Sequence, residues 1–117
     1  MFYAENIPWL GVNNDDTYRF LTKSGKSTQK VAADTSTAFI EYVVSEPLLV
    51  EETFNNLDIA TDGDVAALAF DYTFSVGGHI ANSGKEMWHL VRTADGWKIS
   101  SVIYSVRTNQ AAQRAGN

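Results

Sequence analysis

A chain of 117 residues, 44% hydrophobic and 20% charged, is long enough for one folded core and too apolar to be disordered. Its net charge of -5 and isoelectric point near 4.8 oppose attraction to phosphate backbones and anionic bilayers, so nucleic acid and membranes are not expected as partners. Zero cysteines exclude disulfides and thiolate chemistry. No apolar run approaches the roughly 20 residues needed to span a bilayer, and the opening MFYAENIPWLGV lacks the basic and long apolar regions of a secretion signal. These features predict a soluble, cytoplasmic protein forming a single domain over residues 1–117.

In chain order, Met1 to Thr22 reads as a strand end carrying Ile7, Trp9 and Leu10, followed by a polar loop at Asn13 to Asp16. Arg19, Lys23, Lys26 and Lys30 follow without an intervening acid, but they alternate with Ser, Thr and Gly rather than stacking aromatics, which describes a solvated surface. Ser27 is placed to cap a helix running to about Val44, with Val31, Thr35, Ala38, Phe39, Tyr42 and Val43 on one face and Pro47 ending it. In the next strand Leu48, Val50, Glu52 and Phe54 share one parity, while Leu57 and Ile59 fall on the other, so a bulge at Asn55-Asn56 is needed to restore the face. Asp62-Gly63 and Asp95-Gly96 are hairpin signals, Gly77 to Gly84 reads as a longer loop, and residues 108–117 as a flexible tail.

Parity is clearest over Val65 to Val76. Ala66, Leu68, Phe70, Tyr72, Phe74 and Val76 form a large apolar face, and the intervening side chains are small or polar. If Val76 lies opposite Lys85 across the loop, Tyr72 faces His89, Phe74 faces Met87 and Phe70 faces Val91. A two-residue Asp95-Gly96 turn then sets His89 across from Val102 and Met87 across from Tyr104. The two hairpins together gather Tyr72, His89 and Tyr104 on the aromatic face, with Trp9, Leu68, Phe70, Phe74, Met87, Val91 and Val102 as candidate ligand-binding neighbours. Arg92 and Asp71 are expected to pair on the outer face, at small energetic value.

Two apparent motifs fail on spacing. Gly25-Lys26-Ser27 imitates the end of a phosphate loop, but Phe20 stands where its first Gly is required. Asp58, Asp62 and Asp64 imitate a calcium loop, but Ala60 and Ala69 remove two ligand positions. His79 and His89 have no third ligand at diagnostic spacing, so neither a metal nor another cofactor is expected.

The stretch GDVAALAFDYTFSVGG followed by GKEMWHLVRTADGWKISSVIYSV, with FYAENIPWLG as first strand and GKSTQKVAADTSTAF as helix, resembles the nuclear transport factor 2-like superfamily, which includes SnoaL-like polyketide cyclases, ketosteroid isomerases, scytalone dehydratase and limonene epoxide hydrolase. The resemblance implies an α+β fold: a strongly bent antiparallel sheet, a cone-like half barrel, with the helix packed on its concave face. It also implies that the aromatic parity lines a pocket and that His89 stands where the isomerases carry an oxyanion-donating acid. Trp9-Leu10-Gly11 offers no carboxylate at the position of the isomerase base, and Arg92-Thr93-Ala94-Asp95 lacks the spacing of the epoxide hydrolase set. The helical segment that usually precedes the first strand is not seen before it here.

A lone strand histidine is more often a packed core residue than a catalyst. In the catalytic reading His89 is the general acid/base, its pKa lowered by burial, and Tyr72 and Tyr104 donate to charge developing on a substrate oxygen. The function expected is cofactor-free isomerase, cyclase or dehydratase chemistry on a small apolar, oxygen-bearing molecule. The alternative is a non-catalytic module that binds a hydrophobic ligand or dimerises. A homodimer is expected either way, because one helix is scant cover for so aromatic a face.

Overall fold

The computed structural model describes residues 1–25, 29–46 and 49–109. Their elements are β1 (Pro8–Asn13), α1 (Asp15–Lys23), β2 (Val31–Thr35), α2 (Ser36–Ser45), β3 (Val50–Thr61), β4 (Val65–Val76), β5 (His79–Thr93) and β6 (Gly96–Thr108). The six strands form one sheet in the order β2-β1-β6-β5-β4-β3. The expected bent antiparallel sheet is in fact mixed, since β1 runs parallel to β6.

Two helices stand where one was anticipated. Asn14 accepts from the Thr17 backbone N–H at 2.9 Å, and Asp15 and Asp16 follow in the first turn, so the polar stretch read as a loop is the start of α1. Arg19 pairs with Asp16, and Lys30 with Asp15 at 2.7 Å. The helix expected from Ser27 begins at Ser36 instead. Val31–Thr35 pairs with β1 as a strand, and Thr35 caps α2 by accepting from the Ala38 N–H at 3.2 Å. Ser27 and Pro47 lie outside the described residues, as do residues 110–117 of the expected tail; Thr108 ends β6, and its N–H donates to Thr17 Oγ1 at 3.0 Å.

Register departs from expectation at two places. Gly77-Gly78, both at positive φ, make a two-residue turn, so His79 pairs with Val76 and the long loop does not exist. After a bulge between Phe74 and Ser75, Tyr72 faces Gly84, Phe70 faces Glu86 and Ala67 faces His89. The last turn is Ala94-Asp95, with Thr93 paired to Gly96, and a second irregularity beside His89 sets His89 against Ser101 and Met87 against Ile103. Each change inverts parity once. They cancel at β6, where Val102 and Tyr104 stay on the aromatic face, but not at β5, where Glu86, Trp88 and Leu90 replace Met87, His89 and Val91. The β3 bulge falls where expected, between Asn55 and Asp58, with Asn56 at φ 58°.

The inner face is closed by α2. Phe39 stacks on Trp9 with centroids 4.8 Å apart and meets Phe74 at 6.5 Å. Phe70, Tyr72, Phe74 and Val102 are all less than one-tenth exposed. α2 thus supplies part of the cover for the aromatic face, while Phe54 on the same side stays 51% exposed. On the outer face Asp71 pairs with Lys85 at 3.0 Å, while Arg92, on the other parity at the end of β5, pairs with Asp64 at 3.1 Å, in place of the expected Arg92-Asp71 pair.

Gly84 sits where β5 and β6 approach most closely: a Cβ there would stand 2.2 Å from the Ser105 carbonyl oxygen. Gly84→Ala is therefore expected to destabilise the fold by about 1–3 kcal/mol, the usual cost of overpacking. Thermal unfolding followed by circular dichroism measures the loss, and an unchanged Tm would contradict the close approach.

Candidate functional site

Between α2 and the inner face lies a cavity of about 370 Å³. Its apolar wall is aromatic: Trp9 from β1, Phe39 and Tyr42 from α2, Tyr72 and Phe74 from β4, and Tyr104 from β6. Ala38 and Val106 complete that wall, the Asn82 amide joins it from β5, and three carboxyl residues, Asp34, Glu52 and Glu86, come from β2, β3 and β5.

Alternation along each strand explains the set. Glu52 shares parity with Val50 and Phe54 and lies opposite Phe74; Glu86 lies between Phe70 of β4 and Tyr104 of β6. Glu86 is only 5% exposed and Glu52 is half-buried. The Trp88 indole N–H donates to Glu86 Oε1 at 2.9 Å, and the Glu52 and Glu86 side chains hydrogen-bond to each other. Burial foremost, then the hydrogen bond and charge of Glu86, push Glu52 up to about 9. Glu52 is accordingly held protonated at neutral pH.

The two tyrosines differ in what their hydroxyls can do. Tyr72 donates to the Ser105 carbonyl oxygen at 2.7 Å, so its hydrogen is committed to the fold. Tyr104 has a side-chain hydrogen bond with Trp9; an indole is only a donor, so the Tyr104 oxygen accepts and its own hydrogen remains available to a ligand. Burial raises both phenols, reinforced at Tyr72 by the charge of Glu86 and at Tyr104 by that of Asp34, while the Trp9 bond acts in the opposite sense on Tyr104. Both stay neutral at physiological pH. The Tyr104 ring lies over Gly11, where a Cβ would come within 2.8 Å of it.

Of the residues singled out from sequence, Trp9, Tyr72, Phe74 and Tyr104 line this cavity, while Phe70 and Val102 are buried in the core beside it. Leu68 shares the inner parity but stands farther along β4, outside the lining. Met87, His89 and Val91 face the other way. His89 is exposed, with Nδ1 3.2 Å from the Ser101 hydroxyl, so it does not join Tyr72 and Tyr104. The carboxyl pair went unnoticed, although Glu52 on the parity of Val50 and Phe54 was a visible anomaly. Among the described residues no three His, Asp or Glu side chains converge as a metal site requires, and no helix is long and apolar enough to cross a membrane.

At the level of sequence, no protein-family model and no curated protein match the chain. Solved structures do. An NTF2-like protein from Cytophaga hutchinsonii superposes with a TM-score of 0.61 at 10% identity, over 91% of this chain and 77% of that one. An NTF2-like protein with a cystatin-like fold from Novosphingobium aromaticivorans gives 0.55 at 13% identity, over 97% and 70%. A candidate dehydratase of the NTF2-like family from Streptomyces avermitilis gives 0.54 at 15% identity, over 86% and 66%. The chain therefore has the NTF2-like α+β cone fold.

A raised folded-state pKa makes the protonated form of Glu52 the one that suits the fold. The unfolded chain releases this proton near its ordinary value of 4.5 and the folded chain near 9, so stability falls as pH rises between those values and levels off above them. Thermal unfolding across pH 5 to 9 should show that decline. Glu52→Gln, which mimics the neutral acid, should flatten it; an equal slope in the variant would place the proton elsewhere.

Proposed function

We propose that the chain is a cofactor-free enzyme of the isomerase or dehydratase type, acting on a small, largely apolar, oxygen-bearing molecule held in the aromatic cavity. The observation carrying this reading is the hydrogen-bonded Glu52-Glu86 pair on the cavity wall, with Glu86 5% exposed. Two carboxyl groups set side by side in unlike surroundings can divide acid from base work. In this reading Glu86 removes a proton from carbon beside a carbonyl or hydroxyl, and Glu52 delivers one to oxygen or to the allylic carbon. Tyr104, with its hydrogen free, donates to the oxygen on which charge develops. The likeness to a candidate dehydratase of the same fold is in keeping with this chemistry. His89 and Tyr72 are not assigned catalytic roles, the first facing away from the cavity and the second being bonded to the backbone.

Turnover of a panel of neutral enolisable ketones and β-hydroxy carbonyl compounds tests the proposal. Glu86→Gln should lower kcat by roughly 10² to 10⁴, the ordinary worth of a general base, and His89→Ala should leave it unchanged. Loss of activity in His89→Ala with full activity in Glu86→Gln would reverse the assignment.

The homodimer keeps a physical basis, on the other face of the sheet. Ala33, Leu10, Ile103, Met87 and Ala69 are successive cross-strand partners and form an apolar row over five strands. Met87 and Ile103 remain 41% and 42% exposed. We propose that a second copy covers this row sheet to sheet, across an interface above about 1,200 Å². Sedimentation equilibrium at micromolar concentration should report a dimer that Met87→Glu dissociates; a monomeric parent protein would refute it.

A further inference from the structure

The same cavity is unusual in its charge. Among the described residues that line it, its rings and carboxyl groups are not accompanied by any Lys, Arg or His. The ion pairs of the described residues, Arg19-Asp16, Lys30-Asp15, Lys85-Asp71 and Arg92-Asp64, all lie on the surface and leave Glu52, Glu86 and Asp34 aside. Glu86 is 5% exposed, and its observed donors are the neutral Trp88 indole and the Glu52 carboxyl. A buried carboxylate without a cationic partner is costly, and the faces of surrounding rings add further negative potential. From the aromatic lining and the buried Glu86, with no cation among the described lining residues, we infer that the cavity takes a small organic cation, a protonated or quaternary amine on an apolar body.

This rests on reading the cavity as the substrate site, and it specifies the substrate as bearing a cationic nitrogen. The nitrogen would sit among Tyr42, Phe74 and Tyr104 with Glu86 as its counter-ion, while the apolar body meets the Trp9-Phe39 stack. A cation at this position also competes for the role that the shared proton plays. The titratable groups facing the pair are Tyr72 from β4, Tyr104 from β6, Asp34 from β2 and Tyr42 from α2. Burial holds the three phenols above their ordinary range, so Glu52 is the group that gives up a proton when a cation arrives.

Isothermal titration calorimetry with benzyltrimethylammonium and with neopentylbenzene, its uncharged carbon isostere, tests this on the unaltered protein. The cation should bind more tightly on the order of tenfold, and titrations at pH 8 in phosphate and in Tris should differ in heat by the release of a proton. Glu52→Gln, checked for folding by circular dichroism, should bind the cation without that release. Equal affinity for the two probes, tighter binding of neopentylbenzene, or no binding of the cation would overturn the inference. Turnover of the neutral ketone panel with dependence on Glu86 would persist in that event, which separates failure of the cation assignment from failure of the acid/base reading.

Discussion

A strand shows its side chains alternately to its two faces, so the turn joining β4 to β5 decides which half of β5 lines the cavity. Gly77 and Gly78 supply the two successive positive-φ residues of a tight hairpin, and the bulge near Phe74 removes one further step of register. With that register Glu86 and Trp88 point inward, Gly84 lies opposite Tyr72, and His89 is left outside. Asn82 and Glu86 join the cavity through this choice. A register displaced by one residue would place His89 and Met87 among the rings and bring Lys85 to the inner side, giving a cavity of opposite electrical character.

The carboxyl pair is the costliest part of this arrangement. Charge on two acids side by side among aromatic rings is costly, and no arginine or lysine stands among the described lining residues to compensate it. Apolar residues at positions 52 and 86 would suit the packing better, since Phe70, Phe74 and Tyr104 are their cross-strand neighbours. Acids at these positions trade stability for polar groups on an aromatic wall, an expense typical of sites that move protons or hold charge.

Much of the fold was legible because it rests on patterns that local residues determine. The alternation from Val65 to Val76, the Asn55-Asn56 bulge, the Asp62-Gly63 turn and the Ala38-Phe39-Tyr42 face of α2 each depend on a few neighbouring side chains. Register was not legible in this way. The stretch from Gly77 to Gly84 contains three glycines, and choosing Gly77-Gly78 as the turn over a longer loop depends on pairing along the whole hairpin. Ser100, where β6 gains an extra residue opposite β5, carries no local bulge signal, and its hydroxyl donates to the His89 carbonyl at 3.0 Å only once the strands have met. α1 was passed over although Asn14 followed by two acids is a helix-start signature. Glu52 was legible as sharing parity with Val50 and Phe54, but its pairing with Glu86 depends on the β4–β5 register.

The parallel pairing of β1 with β6 has a consequence for how the chain reaches this structure. Trp9 lies beside Val102, and Asn14 donates its backbone N–H to the Val106 carbonyl at 2.9 Å. The antiparallel strands β3 to β6 can zip together through short turns, whereas β1 must await a partner more than ninety positions away in the chain. Closing so large a loop is entropically slow and brings no reward until both ends have met. On a ribosome, β1 can pair with β2 early, but its other edge stays open until β6 has emerged, an interval in which an apolar strand is exposed to the wrong neighbour. Because Trp9 and Tyr104 stand on these two strands, that wall of the cavity is completed only when β6 docks.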